Sequence, residues 1–335
     1  MPHLQQFRAG KPGFYPDQTI YAEYACAEFG LTFEHLDRGT GVVFRIASSS
    51  TEISFGAGRC SWFPQNNATA SSLASDKYFT NLILERADVP TFGGQYFFLH
   101  DRHRAHRPPG HDRSDAEQYF RVLDASAFIK PLQGSRGDFA QPVHGEAALQ
   151  EYLDRVSRYY DAVLMQRIFS GLEYRVFLLD DEVLYTARKY PPAIMGDGAN
   201  RLCDLLAEHN AVLQARGLSP VTSGDNNPDL TVVLPEGERW EISGRMNLSA
   251  GGRMILEALS PGHPAYELAR HATNALGLRV AAVDLFIDID GKPELTKIIE
   301  VNANPSIRLL EDSGRSDLIL KIWRHTFVAM GLLDV

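Results

Sequence analysis

Cysteine is scarce in this chain: Cys26, Cys60 and Cys203 are the only three among 335 residues. They stand far apart and without the paired spacing of metal ligands, which excludes a disulfide framework and a cysteine-built metal centre; they read as reduced thiols of a cytosolic protein. Positive charge is also in deficit, with 33 Lys and Arg against 42 Asp and Glu and a net charge of −9. That balance argues against nucleic acid or an anionic membrane as a general partner, although a local basic patch can still attract a small anion. No apolar run approaches the length of a membrane span, and the opening "MPHLQQFRAGKPG" has no apolar signal core. No internal repeat is found, and no Ser/His/Asp or Cys/His set suggests a nucleophilic triad. What is present is an ordinary globular composition, 44% hydrophobic, in a chain long enough for two or three domains or lobes.

The first 65 residues read as a small unit, with a helix at "IYAEYACAEFG" and short strands at "VVFRIASS" and "TEISFGAG". The segment "SSLASDKYFTNLILERADVP" predicts one amphipathic helix with serine or aspartate caps, ended before Pro90. Further helices are expected at "EAALQEYLDRVSRYY" and "RLCDLLAEHNAVLQARG", and three strand-like runs lie between residues 162 and 198. On these strands Glu173 and Arg175 share a face, while Arg188 and Lys189 end the next run. Each reads equally well as a surface ion pair.

Two stretches carry more chemistry. "AFIKPLQGSRGDFAQPV" predicts a strand, a glycine-punctuated turn and a second strand, with Lys130 at the first strand's end. Backbone amides around Gly134, Ser135 and Gly137 can cradle a phosphate with Lys130 as a point charge beside it, although many plain hairpins look the same. In "AAVDLFIDIDGKPELTKIIEVNANPS", Asp284, Glu300 and Asn302 interrupt otherwise apolar strands. A two-residue Asp290-Gly291 turn would set Asp284 opposite Lys297, an ordinary ion pair. A three-residue loop over Gly291 to Pro293 would set it opposite Glu300, where two carboxylates repel unless a cation lies between them. Such an oxygen-only set suits Mg²⁺. A basic loop, "RHRAHRPPGHDRSD", reads either as a solvated insertion or as an anion-attracting flap.

In order along the chain, "DKYFTNLILERADVP", "FIKPLQGSRG", "MQRIFSGLEYRVFLLDDEVL", "YPPAIMGDGANRLCDLL", "RMNLSAGG" and the terminal Asp…Glu-x-Asn run resemble the ATP-grasp superfamily. The resemblance covers roughly residues 75 to 310 and is nearest to the ATP-grasp modules of bifunctional glutathione synthetases and of cyanophycin synthetase. It implies an α+β fold in which two lobes grip ATP, preceded by a small N-terminal α/β unit. The division would be 1–70 for that unit and 71–335 for the ATP-grasp domain, with a phosphate-loop lobe at about 120–165 and a metal-binding lobe at about 166–335.

The resemblance also implies site residues. Lys77 and Lys130, with the loop holding Gly134, Ser135 and Gly137, would approach the ATP phosphates. The backbone of Gln166, Arg167 and Ile168 would meet adenine, and Glu173 the ribose. Asp284, Glu300 and Asn302 would hold Mg²⁺, with Mn²⁺ as a substitute. Arg245, Asn247 and, more weakly, Arg188 would touch the reacting phosphoryl or acyl group. Two departures stand out: Gln166 occupies a position where the family commonly has an acid, and the long partner domain of both named relatives is missing, so their substrates do not carry over. The activity implied is ATP-dependent joining of a small carboxylate to an amine, such as two amino acids or a short peptide, through an acyl phosphate. A small-molecule kinase on the same fold and a non-catalytic nucleotide-binding module are the alternatives. Small-molecule carboxylate and amine substrates are the expected partners, and a homodimer is compatible with this reading.

Overall fold

The computed structural model describes residues 3–56, 62–134, 137–215, 229–242 and 252–334. Helices α1 (Leu4–Ala9) and α2 (Asp17–Phe29) precede a three-stranded antiparallel sheet of β1 (Thr32–His35), β2 (Val43–Ala47) and β3 (Glu52–Gly56). Gly30, in the left-handed region at φ 70°, ends α2. Next come α3 (Ala68–Ser75) and α4 (Lys77–Arg86). The Asp76 carboxylate accepts from the amides of Tyr78 and Phe79 at 3.0 Å each, so this cap starts α4 and places Lys77 in its first turn.

A four-stranded sheet follows, built from β4 (Gln95–Phe98), β5 (Ser126–Pro131), β6 (Gln141–His144) and β7 (Ala162–Gln166) in the order β4-β7-β5-β6. Helices α5 (Arg113–Val122) and α6 (Glu146–Val156) cover it, burying Phe97, Phe120, Ile129, Leu153 and Met165. Pro142 is tolerated because β6 is an edge strand with no outward ladder to complete. The glycine-containing segment connects β5 to β6.

The second lobe is a five-stranded sheet. It contains β8 (Leu172–Leu179), β9 (Glu182–Tyr190), β12 (Arg253–Leu256), β13 (Val280–Ile289) and β14 (Lys292–Asn302) in the order β12-β9-β8-β13-β14. Between β9 and β12 the chain forms a small ribbon of β10 (Ala193–Met195) and β11 (Arg239–Glu241), packed with α7 (Leu202–Ala215). Helices α8 (Pro264–Leu276), α9 (Arg308–Asp312) and α10 (Ser316–Ala329) complete the chain.

Strand alternation divides the five-stranded sheet into two faces. Tyr174, Val176, Leu178, Ala281, Val283 and Leu285 pack against the alanine-lined side of α8. On the other face Phe177, Tyr185, Ala187 and Ala282 join a core with Tyr21, Phe44, Trp323 and Phe327. The N-terminal segment, which reads in sequence as a small unit, thus shares one core with the main sheet and the C-terminal helix. That core covers only part of the face. The part left over carries the charged residues.

The β13–β14 hairpin combines the two registers that the sequence leaves open. Ile289 pairs with Lys292, so the turn is the two-residue Asp290-Gly291 form, with φ 52° and 75° at its centre. Yet Asp284 pairs with Glu300. The strands differ in length between these points. Pro293, Glu294 and Leu295 separate Lys292 from Thr296 where β13 has only Asp288, and Ile299 separates Ile298 from Glu300 where β13 has nothing. Asp288 takes φ 53° at the first irregularity. Bulges, not loop length, bring the carboxylates face to face.

Candidate active site

Register places the polar groups on one face of the sheet. Glu173 pairs with Lys189 across β8 and β9, and with Phe286 across β8 and β13. Arg175 and Glu300 flank Asp284 from either side, and Asn302 stands two residues beyond Glu300. The side chains follow this grid. Arg175 donates from Nε and Nη2 to the two Asp284 oxygens at 2.7 and 2.8 Å, a bidentate pair. Lys189 Nζ donates to Asp284 at 2.8 Å and to Glu173 at 2.5 Å. Asn302 Nδ2 lies between the two facing carboxylates, 3.4 Å from Asp284 and 3.2 Å from Glu300.

Asp284 is fully buried, and its ionisation reflects a balance. Burial pushes its pKa up, but Arg175 and Lys189 outweigh that and hold it well below the ordinary carboxylate range. Glu173 shifts the other way: burial raises its pKa, Lys189 opposes, and the neighbouring Asp284 adds to the rise. Burial alone would depress Lys189, yet Asp284 and Glu173 leave its pKa raised.

Lys130 approaches from the other sheet, and Lys77 from the first turn of α4. Lys130 sits on β5 with 5% of its surface exposed. Burial lowers its pKa to about 8, Glu300 and Glu173 pull it up, and Lys77 pushes it down. Lys130 thus lies near Glu300 and Glu173 of the five-stranded sheet and near Lys77. Lys77 Nζ donates to the Gly134 carbonyl at 3.3 Å, and its backbone amide donates to Leu132. Gly134 adopts φ 143° beside the Tyr160 ring, and Gly137 φ 64°.

Gln166 ends β7, buried, with its side-chain amide donating to the Gly93 carbonyl at 2.6 Å. Arg167 and Ile168 then emerge to the surface. An aromatic group adjoins them: Phe169 lies 4.8 Å from Phe92, which lies 5.6 Å from Phe286, the strand partner of Glu173. These rings carry no local sequence signal because they are scattered along the chain. No specific role for Arg175 and Lys189 is legible in sequence either, although their alternation with Glu173 and Ala187 is the available signal.

Of the expected residues, the structure brings Glu173, Asp284, Glu300, Asn302, Lys130 and Lys77 together. Arg188 lies on the opposite face of β9, paired with Tyr174, over the Tyr190 ring and 3.5 Å from Glu257. Ser135, Arg245 and Asn247 lie outside the described residues. The basic loop is tied to its own lobe. Arg102 pairs with Asp161 at 2.8 Å, Arg104 with Asp112 at 2.6 Å and Arg113 with Asp154 at 2.7 Å, while Arg107 covers the Phe98 ring. Its arginines are engaged by local carboxylates and a ring, as in the solvated-insertion reading.

Asp284, Glu300 and Asn302 form an oxygen donor set suited to a hard dication once the Asn302 amide turns its oxygen inward. No group of three or more His, Cys, Asp or Glu among the described residues offers another metal centre.

Two lobes built on antiparallel sheets, with a buried lysine of one beside a carboxylate–amide ledge of the other, make up the ATP-grasp fold, and this chain has that fold. Solved structures agree. The bifunctional glutathione synthetase from Pasteurella multocida superposes with a TM-score of 0.54 at 18% identity, covering 92% of this chain and 44% of that one. The D-alanine–D-alanine ligase from Bacillus anthracis gives 0.52 at 14% identity, covering 79% and 71%. In sequence, the chain is similar to the glutathione biosynthesis bifunctional protein GshAB of Clostridium perfringens, 26% identical over 262 residues, or 72% of this chain and 33% of that protein. It is also 28% identical to the cyanophycin synthetase of Trichormus variabilis over 71% of this chain and 27% of that protein. The chain thus spans about a quarter to a third of these curated relatives. No protein-family model matches it.

Proposed function

We propose that the chain is an ATP-dependent carboxylate–amine ligase for small substrates, amino acids or short peptides, working with Mg²⁺ in the cytoplasm. The observation that carries this reading is Lys130, on the four-stranded sheet, set beside Glu300 and Glu173 of the five-stranded sheet, with Lys77 of α4 next to it. The relatives named for glutathione biosynthesis, cyanophycin synthesis and D-alanine–D-alanine ligation support it. The division into a 1–70 unit and a 71–335 ATP-grasp domain accompanies the proposal.

In the reaction, a substrate carboxylate oxygen attacks the γ-phosphorus of ATP and ADP leaves. The nitrogen of the amine then attacks the acyl carbon, loses a proton and expels phosphate, leaving an amide. Lys130 and Lys77 would hold the transferring phosphates from one side. The Arg175–Asp284–Lys189 network would fix Asp284 in the ionised form and in one orientation. When bound at Asp284, Glu300 and Asn302, Mg²⁺ neutralises phosphate charge as a Lewis acid. Positioning and charge neutralisation thus supply the catalysis.

The test supplies ATP and a panel of carboxylates with hydroxylamine in place of the amine. A hydroxamate with stoichiometric ADP is the expected product. A stable phosphoester would point instead to a kinase, and nucleotide binding without any ADP formation to a non-catalytic module.

A further inference from the structure

The two edges of the five-stranded sheet are finished differently. At the β14 edge the Ile298 amide donates to the Pro90 carbonyl at 2.9 Å and Thr91 bridges to Ile298, so the segment after α4 covers that ladder. The β12 edge is open among the described residues. Arg253 pairs with Tyr190, and the same register continues to Glu257, whose amide donates to the Thr186 carbonyl at 3.2 Å. Bonding alternates along an antiparallel ladder, so Arg253, Ile255 and Glu257 turn their backbone groups to β9 while Met254 and Leu256 turn theirs outward. Among the described residues nothing pairs with those outward amides and carbonyls. A half-open hollow of about 400 Å³ between β12 and α9 leaves space beside them.

Sheet edges are commonly blunted by proline, a bulge or an inward charge. Pro142 stands on the edge strand β6 and Pro293 on β14. Strand β12 runs Arg253-Met254-Ile255-Leu256 into Glu257 with neither proline nor a register shift, and Ile255 is 42% exposed. These residues are complementary to themselves. Laid antiparallel against a copy about Ile255, Met254 meets Leu256 of the copy, and their outward backbone groups complete each other. Ile255 meets its own counterpart, and Arg253 meets Glu257. Alternation keeps Arg253, Ile255 and Glu257 on the face turned away from Arg175 and Lys189. Arg253 is exposed and has no hydrogen-bond or ion-pair partner among the described residues. Glu257 is held in place by the Tyr174 and Tyr190 hydroxyls, which donate to it at 2.5 and 2.8 Å. Opposite charges directly across a strand pair are stabilising. Moving the axis to Met254 or to Leu256 sets Arg253 against Ile255, or Ile255 against Glu257, and loses the ion pair. Only the register centred on Ile255 matches charge with charge and apolar with apolar.

We propose that the chain self-associates through β12, two copies pairing antiparallel about Ile255 so that their five-stranded sheets join into one continuous sheet. The two-fold axis stands perpendicular to the sheet, so the charged faces of both copies open to the same side. The pairing is independent of the reaction assigned to those faces.

The experiment follows the full chain by sedimentation equilibrium, with oxidative cross-linking as an independent reading. A dimer is expected. Ile255→Asp brings like charges together at the axis, and Arg253→Glu sets an acid against Glu257. Each should weaken association about a hundredfold or more. Both positions are exposed, and thermal unfolding checks that each variant is folded. Ile255→Cys should form a symmetric disulfide on mild oxidation, because the Cα atoms of a non-hydrogen-bonded antiparallel pair stand about 4.5 Å apart, within disulfide reach. Val122→Cys, at a position on α5 that is 64% exposed, should not. A monomer at every concentration, a dimer left intact by Ile255→Asp and Arg253→Glu, or cross-linking of Ile255→Cys no faster than of Val122→Cys overturns the proposal.

Discussion

Arg8 and Glu311 lie 303 residues apart in sequence and meet through two hydrogen bonds, Nε to Oε1 at 2.5 Å and Nη2 to Oε2 at 2.6 Å. The Tyr21 hydroxyl donates to the same carboxylate at 2.7 Å. Glu311 is 4% exposed, so its charge is stable there only because these donors replace water. The contact fastens the first helix to α9. Arg8→Ala should therefore cost about 3 kcal/mol of unfolding free energy, the range for a buried charge deprived of its partner. Urea denaturation measures this. A loss under about 0.5 kcal/mol, the size of an ordinary surface change, would mean the pair is solvated in solution.

Glu300→Gln should abolish turnover and leave the fold intact. The substitution keeps shape and hydrogen bonding to Asn302 but removes one negative charge from the set assigned to a dication. Activity is compared at saturating Mg²⁺, with thermal unfolding as the control on folding. Activity within about twofold of wild type would refute the metal assignment, since loss of one preorganised electrostatic contact normally costs about a hundredfold.

Lys130 carries a pH prediction. Burial brings its pKa down to about 8 in the empty protein. A polyanion beside it favours the charged form and raises that value, so nucleotide binding takes up a proton as pH rises above 8. Affinity for ATP should be full below pH 8 and decline above it. Stability without ligand should run the opposite way. The unfolded lysine keeps its proton up to about 10.5 while the folded one loses it near 8, so the empty fold gains stability across that interval. Calorimetry in buffers of different ionisation enthalpy reads the proton uptake, and Lys130→Met should remove it. The rate cost of Lys130→Ala is expected at about 10²- to 10³-fold, with Lys77→Ala acting in the same direction. Binding without proton uptake at pH 8 to 9 would place Lys130 away from the phosphates.

Gly196 tests the small ribbon. A Cβ there would stand 2.2 Å from the Pro235 carbonyl oxygen and 2.6 Å from the Leu234 Cβ. Gly196→Ala should destabilise the protein by about 1 to 3 kcal/mol, as overpacking does, because the clash is with backbone that cannot swing aside. A thermal scan that shows no change would mean the β10–β11 ribbon is looser than its hydrogen bonds indicate.

Much of the site was legible because its residues lie on strands, where alternation assigns faces without further knowledge. Asp284, Glu300 and Asn302 could be grouped that way, whereas the run before Pro90 reads as one helix and the structure divides it at Asp76 into α3 and α4. The Asp284–Glu300 register was not settled by sequence, since a bulge leaves no local composition signal and the two-residue turn taken alone favours the wrong pairing. Arg175 and Lys189 were visible as charges on adjacent strands. That both converge on Asp284 follows from which strands are neighbours, a non-local fact. The same holds for the basic loop: its carboxylate partners Asp154 and Asp161 come from around the end of α6, more than forty residues on.

The shared core of Tyr21, Phe44, Trp323 and Phe327 bears on how the chain is made. During synthesis α2 and the first three strands emerge long before the helix that covers them. Their aromatic surface, including Phe44 and Phe55, has no partner from the C-terminal helix until Trp323 and Phe327 leave the ribosome. Contacts of such sequence separation form late and slowly. The exposed interval is when a nascent chain is most prone to associate with its neighbours. Overproduction should therefore be limited by how long the early segment waits, and a holdase that shields aromatic surface would act on the nascent first sixty residues rather than on the nucleotide-gripping lobes.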